Sequence, residues 1–497
     1  MMKTLSPLAL TCLIWMGGAG YGADPAEVSP RTERVTVALE VLDEALTTAR
    51  GIEGVGPKVM SMRAIALAQA GAGLSDAART TFSEALTAAR AVEGEGNGFI
   101  LGSIAGAQAE AGQLADALDT ARGIQGALNQ SPAFGMIVFA LVRAEQFSEA
   151  LDTAMEIENA GARSRTLQNI ATGQAKAGQI PEAVATAQKI ETPPPKAEAL
   201  IAIAAAQTKA GQDDAARQTF TEALATVNKI EQARQKAFAL RPLAGAMAQA
   251  GLFDEALTHA REIELASSKT WALQMIAEAQ AEAGHTDAAL QTITEALTEA
   301  EGIQDASSRA SIQRRIAAVQ VQVGQPDEAR GTFEKALAAA RGVENVLGQG
   351  PGSRAAQPLA IKEIAVAQAQ VGQTDAARST FSEALAVARE IDPAGAKADA
   401  LVKITEAQAE NGFLADAKTT VLEIEEVSYQ ALALRHIAAE QVKNGQLDAA
   451  RRTFAQAVDT ARRSEKVSRR AHALLSTART MLEAEETPGE EAMGEEK

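Results

Sequence analysis

Apolar and small residues recur along this chain at fixed offsets from a turn glycine, and the offsets are those of paired helices. Eight residues before the turn stands Ile or Leu, from Ile65 and Ile104 through Leu243 to Ile437, and Ala usually follows it. Five residues after the turn stands Ala, from Ala78 to Ala450. Apolar positions three and four apart share one face of a helix. The glycine between two such runs supplies the left-handed conformation that ends a helix. The pattern therefore predicts a helical hairpin, repeated about eleven times. Its turn residues are Gly73, Gly112, Gly178, Gly211, Gly251, Gly284, Gly324, Gly372, Gly412 and Gly445, with Glu145 taking the third place.

Neighbouring turns lie mostly 33 or 40 residues apart, once 39, and once 48 where Glu344–Gly352 is inserted. Seven residues are close to two turns of α-helix, so an insertion of that size lengthens a helix without rotating its apolar face. The second helix of the hairpin is thus expected in two lengths, with Thr380–Ala386 an example of the added segment. Asp stands three after the turn in seven units, Asp76 and Asp375 among them, and is expected to cap the second helix. Arg34–Arg50 reads as a lone second-type helix and Val467–Glu485 as a closing helix, each covering an exposed end of the stack. The expected fold class is all-α, an α-solenoid (superhelix) of stacked hairpins.

In five units the frame extends to an aromatic nine after the turn and Ala twelve after it. The sets are Gly73/Ala78/Phe82/Ala85, Gly211/Ala216/Phe220/Ala223, Gly324/Ala329/Phe333/Ala336, Gly372/Ala377/Phe381/Ala384 and Gly445/Ala450/Phe454/Ala457. These residues resemble the tetratricopeptide repeat (TPR), over roughly Val35–Leu482. The chain departs from that family in three ways: short units lack the Phe, the closing Pro is generally absent, and Gln replaces the usual aromatic of the first helix. The resemblance implies a stack of hairpins whose first helices face a concave groove that takes protein segments, without a cofactor or a metal.

The two ends differ from the array. Residues 1–23 read as a secretory signal, with Lys3 as a basic start, Leu5–Met16 as an apolar run and Gly17–Ala23 as a small-residue exit. Residues 24–33 are an expected linker, 34–484 the array, and 485–497 an acidic tail. Cys12 is the only cysteine, so the exported chain forms no disulfide. No second apolar span is present, and the expected location is the periplasm or beyond. The net charge of −17 argues against a nucleic-acid partner, which needs a basic footprint. Aromatics make up only 3% of the chain, too few for a series of stacking platforms.

Three polar rows run through the repeat. Fifteen before the turn stand Lys58, Arg163, Lys196, Lys236, Lys269, Arg309 and Lys397, most with an acid five residues earlier, such as Glu53, Glu158 or Glu191. Matching charge implies a loop-spanning contact that joins adjacent hairpins. Four before the turn, nine units carry Gln, from Gln69 to Gln441; a side-chain amide ladder along the stack is the expected role. Ten before the turn stand Arg63, Arg241, Arg314, Lys362 and Arg435, with Gln168 and Gln274 among them. By the resemblance this row faces the groove, with Trp271 at its edge. The supporting Asn of a carboxylate clamp is missing four residues further on, where Gly245, Glu278, Ala318 and Val366 stand instead.

Catalysis has little footing. The four His are scattered without metal-ligand spacing, and no nucleophile–base pair can be named. The expected function is an exported, non-enzymatic scaffold for protein–protein interaction in the cell envelope, gripping an acidic extended segment. The alternative is a self-associating envelope component, and a hydrolase comes third.

Overall fold

The structure, a computed structural model, describes residues 30–91, 97–343 and 355–484. The expected signal, the insertion Glu344–Gly352 and the acidic tail lie outside them. Every element among the described residues is a helix, and successive helices pair as stacked, TPR-like hairpins. The first helix begins at Pro30, so the expected linker over 24–33 ends inside it. No helix among the described residues is long and apolar enough to cross a membrane.

The first helix of each hairpin is 17 residues in most units, as in Ala160–Lys176, Ala266–Glu282 and Ala394–Glu410. The second comes in two lengths. It has 9 residues in Leu114–Arg122, Phe147–Met155, Ile180–Gln188 and Phe253–Arg261. It has 16 in Ser75–Arg90, Thr286–Glu301, Pro326–Arg341, Thr374–Arg389 and Leu447–Arg462, and 15 in Asp213–Val227. The spacing of the turns has its physical cause here: two added helical turns, in register.

Each turn glycine has φ between +70° and +87°. The residue after it folds back on the first helix, as when Gln373 N donates to Gln368 O at 2.8 Å and Gly372 N to Ala369 O at 3.0 Å. This Schellman arrangement satisfies carbonyls that the helix end leaves open. It also makes the residue after the glycine the cap of the second helix, without a side-chain bond, as at Gln212 and Gln373. The aspartates are therefore not caps. Asp214 and Asp375 sit inside the first turn, where a negative charge complements the helix N-terminus.

The core follows the repeat frame. Ile65, Ile104 and Ile276 are fully buried, as are Ala78, Ala289 and Ala377. Phe82, Phe220, Phe333, Phe381 and Phe454 fill the long units, each burial contributing roughly 1.5–3 kcal/mol. The buried glutamines do not form a ladder. Gln280 Oε1 accepts from Thr292 Oγ1 at 2.8 Å and Gln368 Oε1 from Thr380 Oγ1 at 2.7 Å, and the same bond joins Gln69 to Thr81 and Gln174 to Thr186. Six of the nine Gln thus tie the two helices of their own hairpins, because the threonine eight after the turn lies directly opposite; Gln207, Gln320 and Gln441 do not make the bond.

The chain divides into two compact units: residues 53–426, and residues up to 52 together with those from 427 onwards. In the larger unit the cations near the start of the first helices do join neighbouring hairpins, with a partner one hairpin further on than expected. Arg163 donates to Ile157 O at 3.1 Å and pairs with Glu191 at 3.2 Å. Lys269 pairs with Glu299 at 3.3 Å. The preceding loop offers its carbonyl in place of its acid. A second series is bidentate: Arg122 with Glu156, Arg261 with Glu295, Arg341 with Glu383 and Arg389 with Glu423. It links the last turn of one second helix to the next second helix.

The smaller unit contains one intact hairpin, Val427–Lys443 with Leu447–Arg462. Its other hairpin is assembled from the two ends of the described chain. Val467–Glu483 acts as the first helix and Pro30–Arg50 as the second. The expected separate end covers are therefore partners of each other. Ala38, Leu42 and Ala45 occupy the positions of Ala, Phe and Ala in the repeat frame and are buried, and Ala38 packs with Ala438, Val442, Phe454 and Met481. Arg462 makes the bidentate bond of the series with Glu44, its shortest contact 2.8 Å.

Candidate functional site

Consecutive first helices in the larger unit lie side by side, so residues six, nine, ten and thirteen before the turn face across from one helix to the next. The close approach has a visible cause. A Cβ on Gly245 would stand 2.3 Å from Met275 Cε, and one on Gly106 would stand 2.7 Å from Met136 Cβ. The position where a carboxylate clamp would place Asn is here the seat of a neighbouring Met.

Across the hairpins of Gly251, Gly284 and Gly324, these positions build a stack of alternating guanidinium groups and rings. Arg234 lies over Phe238 at 5.7 Å, Arg241 lies over Phe238 at 5.8 Å and over Trp271 at 4.9 Å, and Arg315 covers Trp271 at 4.2 Å. Trp271 is thus held between two arginines, each contact worth about 0.5–2 kcal/mol. Behind it Arg315 Nε donates to Gln274 Oε1 at 2.9 Å, and Gln274 Nε2 donates to Glu278 Oε2 at 2.8 Å. Gln274 is buried and fixes the Arg315 plane.

The charges in this stack are not evenly matched. Arg315 reaches Glu278 at 3.7 Å. Among the described residues, neither Arg241 nor Arg314 has an ion-pair partner or a hydrogen-bond acceptor. Burial holds the Arg241 guanidinium below its usual pKa, and the neighbouring Arg315 charge adds to the effect. Burial does the same to Arg314, partly opposed by Glu363. Two half-buried cations with open N–H groups can take a carboxylate or another planar anion.

The remaining residues expected at the groove fall elsewhere. Lys362 is neutralised by Glu363 at 2.7 Å. Arg435 belongs to the smaller unit, where its Nη1 donates to Thr480 Oγ1 at 3.0 Å. Arg63 lines a separate groove of about 600 Å³ among the hairpins of Gly73 to Gly178, together with Gly106, Gly135, Phe139, Arg165 and Asn169. Burial lowers the Arg63 pKa, partly opposed by Glu110, and its Nε has no partner. Phe139 is 57% exposed there. Gly135 takes the place that Arg241 occupies in its own unit, which opens the floor of this groove.

Sequence reading missed Arg315, Phe238, Phe139 and Arg165. Phe238 and Trp271 share the position thirteen before the turn, and that shared offset was the available signal. Glycines inside a helical pattern, Gly106, Gly135 and Gly245, were a second one.

No family model matches the chain, and no curated protein matches it. Among solved structures it is similar to Ton1535 from Thermococcus onnurineus NA1, at 18% identity over 68% of this chain and 97% of that one, with a TM-score of 0.29. It is similar to a Rap protein complexed with competence and sporulation factor, at 14% identity over 67% of this chain and 98% of that one, TM-score 0.27. It is also similar to the human IFIT1 dimer with PPP-AAAA, at 13% identity over 88% of this chain and 96% of that one, TM-score 0.28.

Proposed function

We infer that this chain is an exported, non-catalytic scaffold of the cell envelope that holds a partner protein by an acidic, extended segment laid across the first helices. The observation that carries the reading is Arg241. Its guanidinium is aligned by Phe238 and Trp271, yet it has no acceptor among the described residues. Arg314 repeats the condition one hairpin away from Trp271. In a chain of net charge −17, a local row of open cations selects an anionic ligand. The exposed ring of Phe238 offers the same segment an apolar contact. Support for export comes from the composition of residues 1–23, and detection of the chain in the envelope fraction of its native cells checks that part.

The binding reading is tested with a labelled Glu-rich peptide carrying one Phe, followed by fluorescence anisotropy, against the same peptide with Gln for Glu. The intact protein is expected to prefer the acidic peptide. Arg241→Glu with Arg314→Glu is expected to weaken it at least ten-fold while helical content stays unchanged. Equal binding of the two peptides, or full binding by the double variant, would overturn the reading.

A further inference from the structure

The smaller unit holds a hairpin without a covalent turn, and its two helices come from opposite ends of the chain. Among the described residues, Pro30–Arg50 is seated in that unit by contacts to residues 427–484: Arg34 to the carbonyls of Met481 and Ala484 at 3.1 and 2.8 Å, Glu44 to Arg462, and Ala38 to the core of Val442, Phe454 and Met481. None of these depends on the helix belonging to the same copy. The helix leads out through Gly51-Ile52-Glu53-Gly54, and its two glycines have the widest backbone range of any residue, which suits the segment to redirect the chain. In the intact hairpins a glycine turn fixes which second helix follows which first helix. Here only surface complementarity makes that choice.

We propose that a second copy of this chain is a partner of this unit, and that two copies join by exchanging their Pro30–Arg50 helices, each completing the open hairpin of the other. An exchanged helix rebuilds the same buried apolar contacts and the same bidentate Arg462–Glu44 pair, so the closed single chain and the exchanged pair differ mainly in tether geometry and concentration. This surface lies wholly in the smaller unit and does not involve Arg241 or Trp271, so it stands or falls apart from the peptide-binding reading.

The test uses two full-length variants with different tags, Arg462→Glu and Glu44→Arg. Alone, each places like charges at the closing contact. In an exchanged mixed pair, both contacts regain opposite charges. The two are unfolded together, refolded at high protein concentration and separated by size with mass determination. A mixed dimer enriched about five-fold over either homodimer is expected, since each restored exposed pair adds a modest preference. The chain carrying both substitutions should return to the monomer–dimer ratio of the unsubstituted protein. Should the single variants fail to fold, differently tagged unsubstituted chains refolded together must still give a dimer bearing both tags. Only monomers, or dimers in which the two variants are distributed at random, would overturn the proposal.

Discussion

The guanidinium of Arg34 donates to the carbonyl oxygen of Met481 at 3.1 Å, although 447 positions separate the two residues. In an intact hairpin the corresponding carbonyl, such as Gln441 O, accepts from the backbone N–H of the residue after the turn glycine, here Gln446 at 2.8 Å. A side chain has taken over the work of a turn. Arg34→Ala should cost about 1–3 kcal/mol, the worth of charge-assisted bonds to carbonyls that lose their donor. Hydrogen exchange in residues 30–50 should rise while exchange in the hairpins of residues 53–426 stays as it was. Uniform acceleration across the chain would count against a local closing role.

Glu145 is the one non-glycine residue at positive φ, 56°, among those described. The left-handed region costs a side chain roughly 1–2 kcal/mol. Glu145→Gly should therefore raise stability by about 1 kcal/mol, and Gly178→Ala, at φ 78°, should lower it by a similar amount. Thermal unfolding of the two variants beside the parent protein reads both signs, and a destabilised Glu145→Gly chain would sink the account.

The Gln–Thr bond inside the hairpin makes an internal control possible. Thr292→Val leaves buried Gln280 Oε1 without its donor and should cost about 1–3 kcal/mol. At Gly211 the equivalent Thr219 instead donates to Ala215 O, and Gln207 Oε1 already lacks a partner. Thr219→Val should then cost well under 1 kcal/mol. Denaturant midpoints of the two variants distinguish a specific pair from a general preference for Thr, which would give equal losses.

Acid should weaken the smaller unit. Burial, with the Arg435 and Lys443 charges adding to it, pushes His436 down to about 3, and burial beside Arg435 lowers His472 as well. His436 stays neutral in the folded chain and His472 resists protonation there, while the unfolded chain binds protons below about pH 6.5. Their contribution is fully present above that pH and is lost as pH falls toward the folded value. Between pH 6.5 and pH 5 the loss from His436 alone is at most about 2 kcal/mol. Thermal unfolding at the two pH values should show a smaller drop for His436→Gln than for the parent chain; an equal drop removes His436 from the explanation.

The hairpin and its two lengths were legible because both follow from helical periodicity, which is local. Turn spacing predicted what Thr374–Arg389 and Phe253–Arg261 display. Contacts that depend on where an element ends were less legible. Asp375 looks like a cap by composition, but the Schellman turn had already assigned that place to Gln373. The glutamine row was visible, while its meaning needed the threonine twelve residues on; the simultaneous change to Met247 and His259 in one unit marks the pair. Both halves of the closing hairpin were legible as helices, the first as a lone second-type helix and the last only as a closing one. Ala38, Leu42 and Ala45 carry the repeat frame in the first, but nothing local in Val467–Glu483 names a partner 447 positions away. Of the expected groove residues, the structure groups Arg241, Trp271 and Gln274 in one stack with Arg315, because offsets of ten and thirteen share a helical face. It separates Lys362 and Arg435 from them, because local partners decide whether a cation stays open.

Most of the length variation between hairpins sits in the second helix, while most first helices keep their 17 residues. Two scales of change are thereby kept apart. A heptad can be added to or removed from the back of a unit as a matter of bulk. The front keeps its beat, so that Arg241, Gln274 and Arg314 recur at one height on successive helices like rungs cut to a common gauge. An engineer could resize Thr374–Arg389 to the short form and leave the spacing of the reading face untouched.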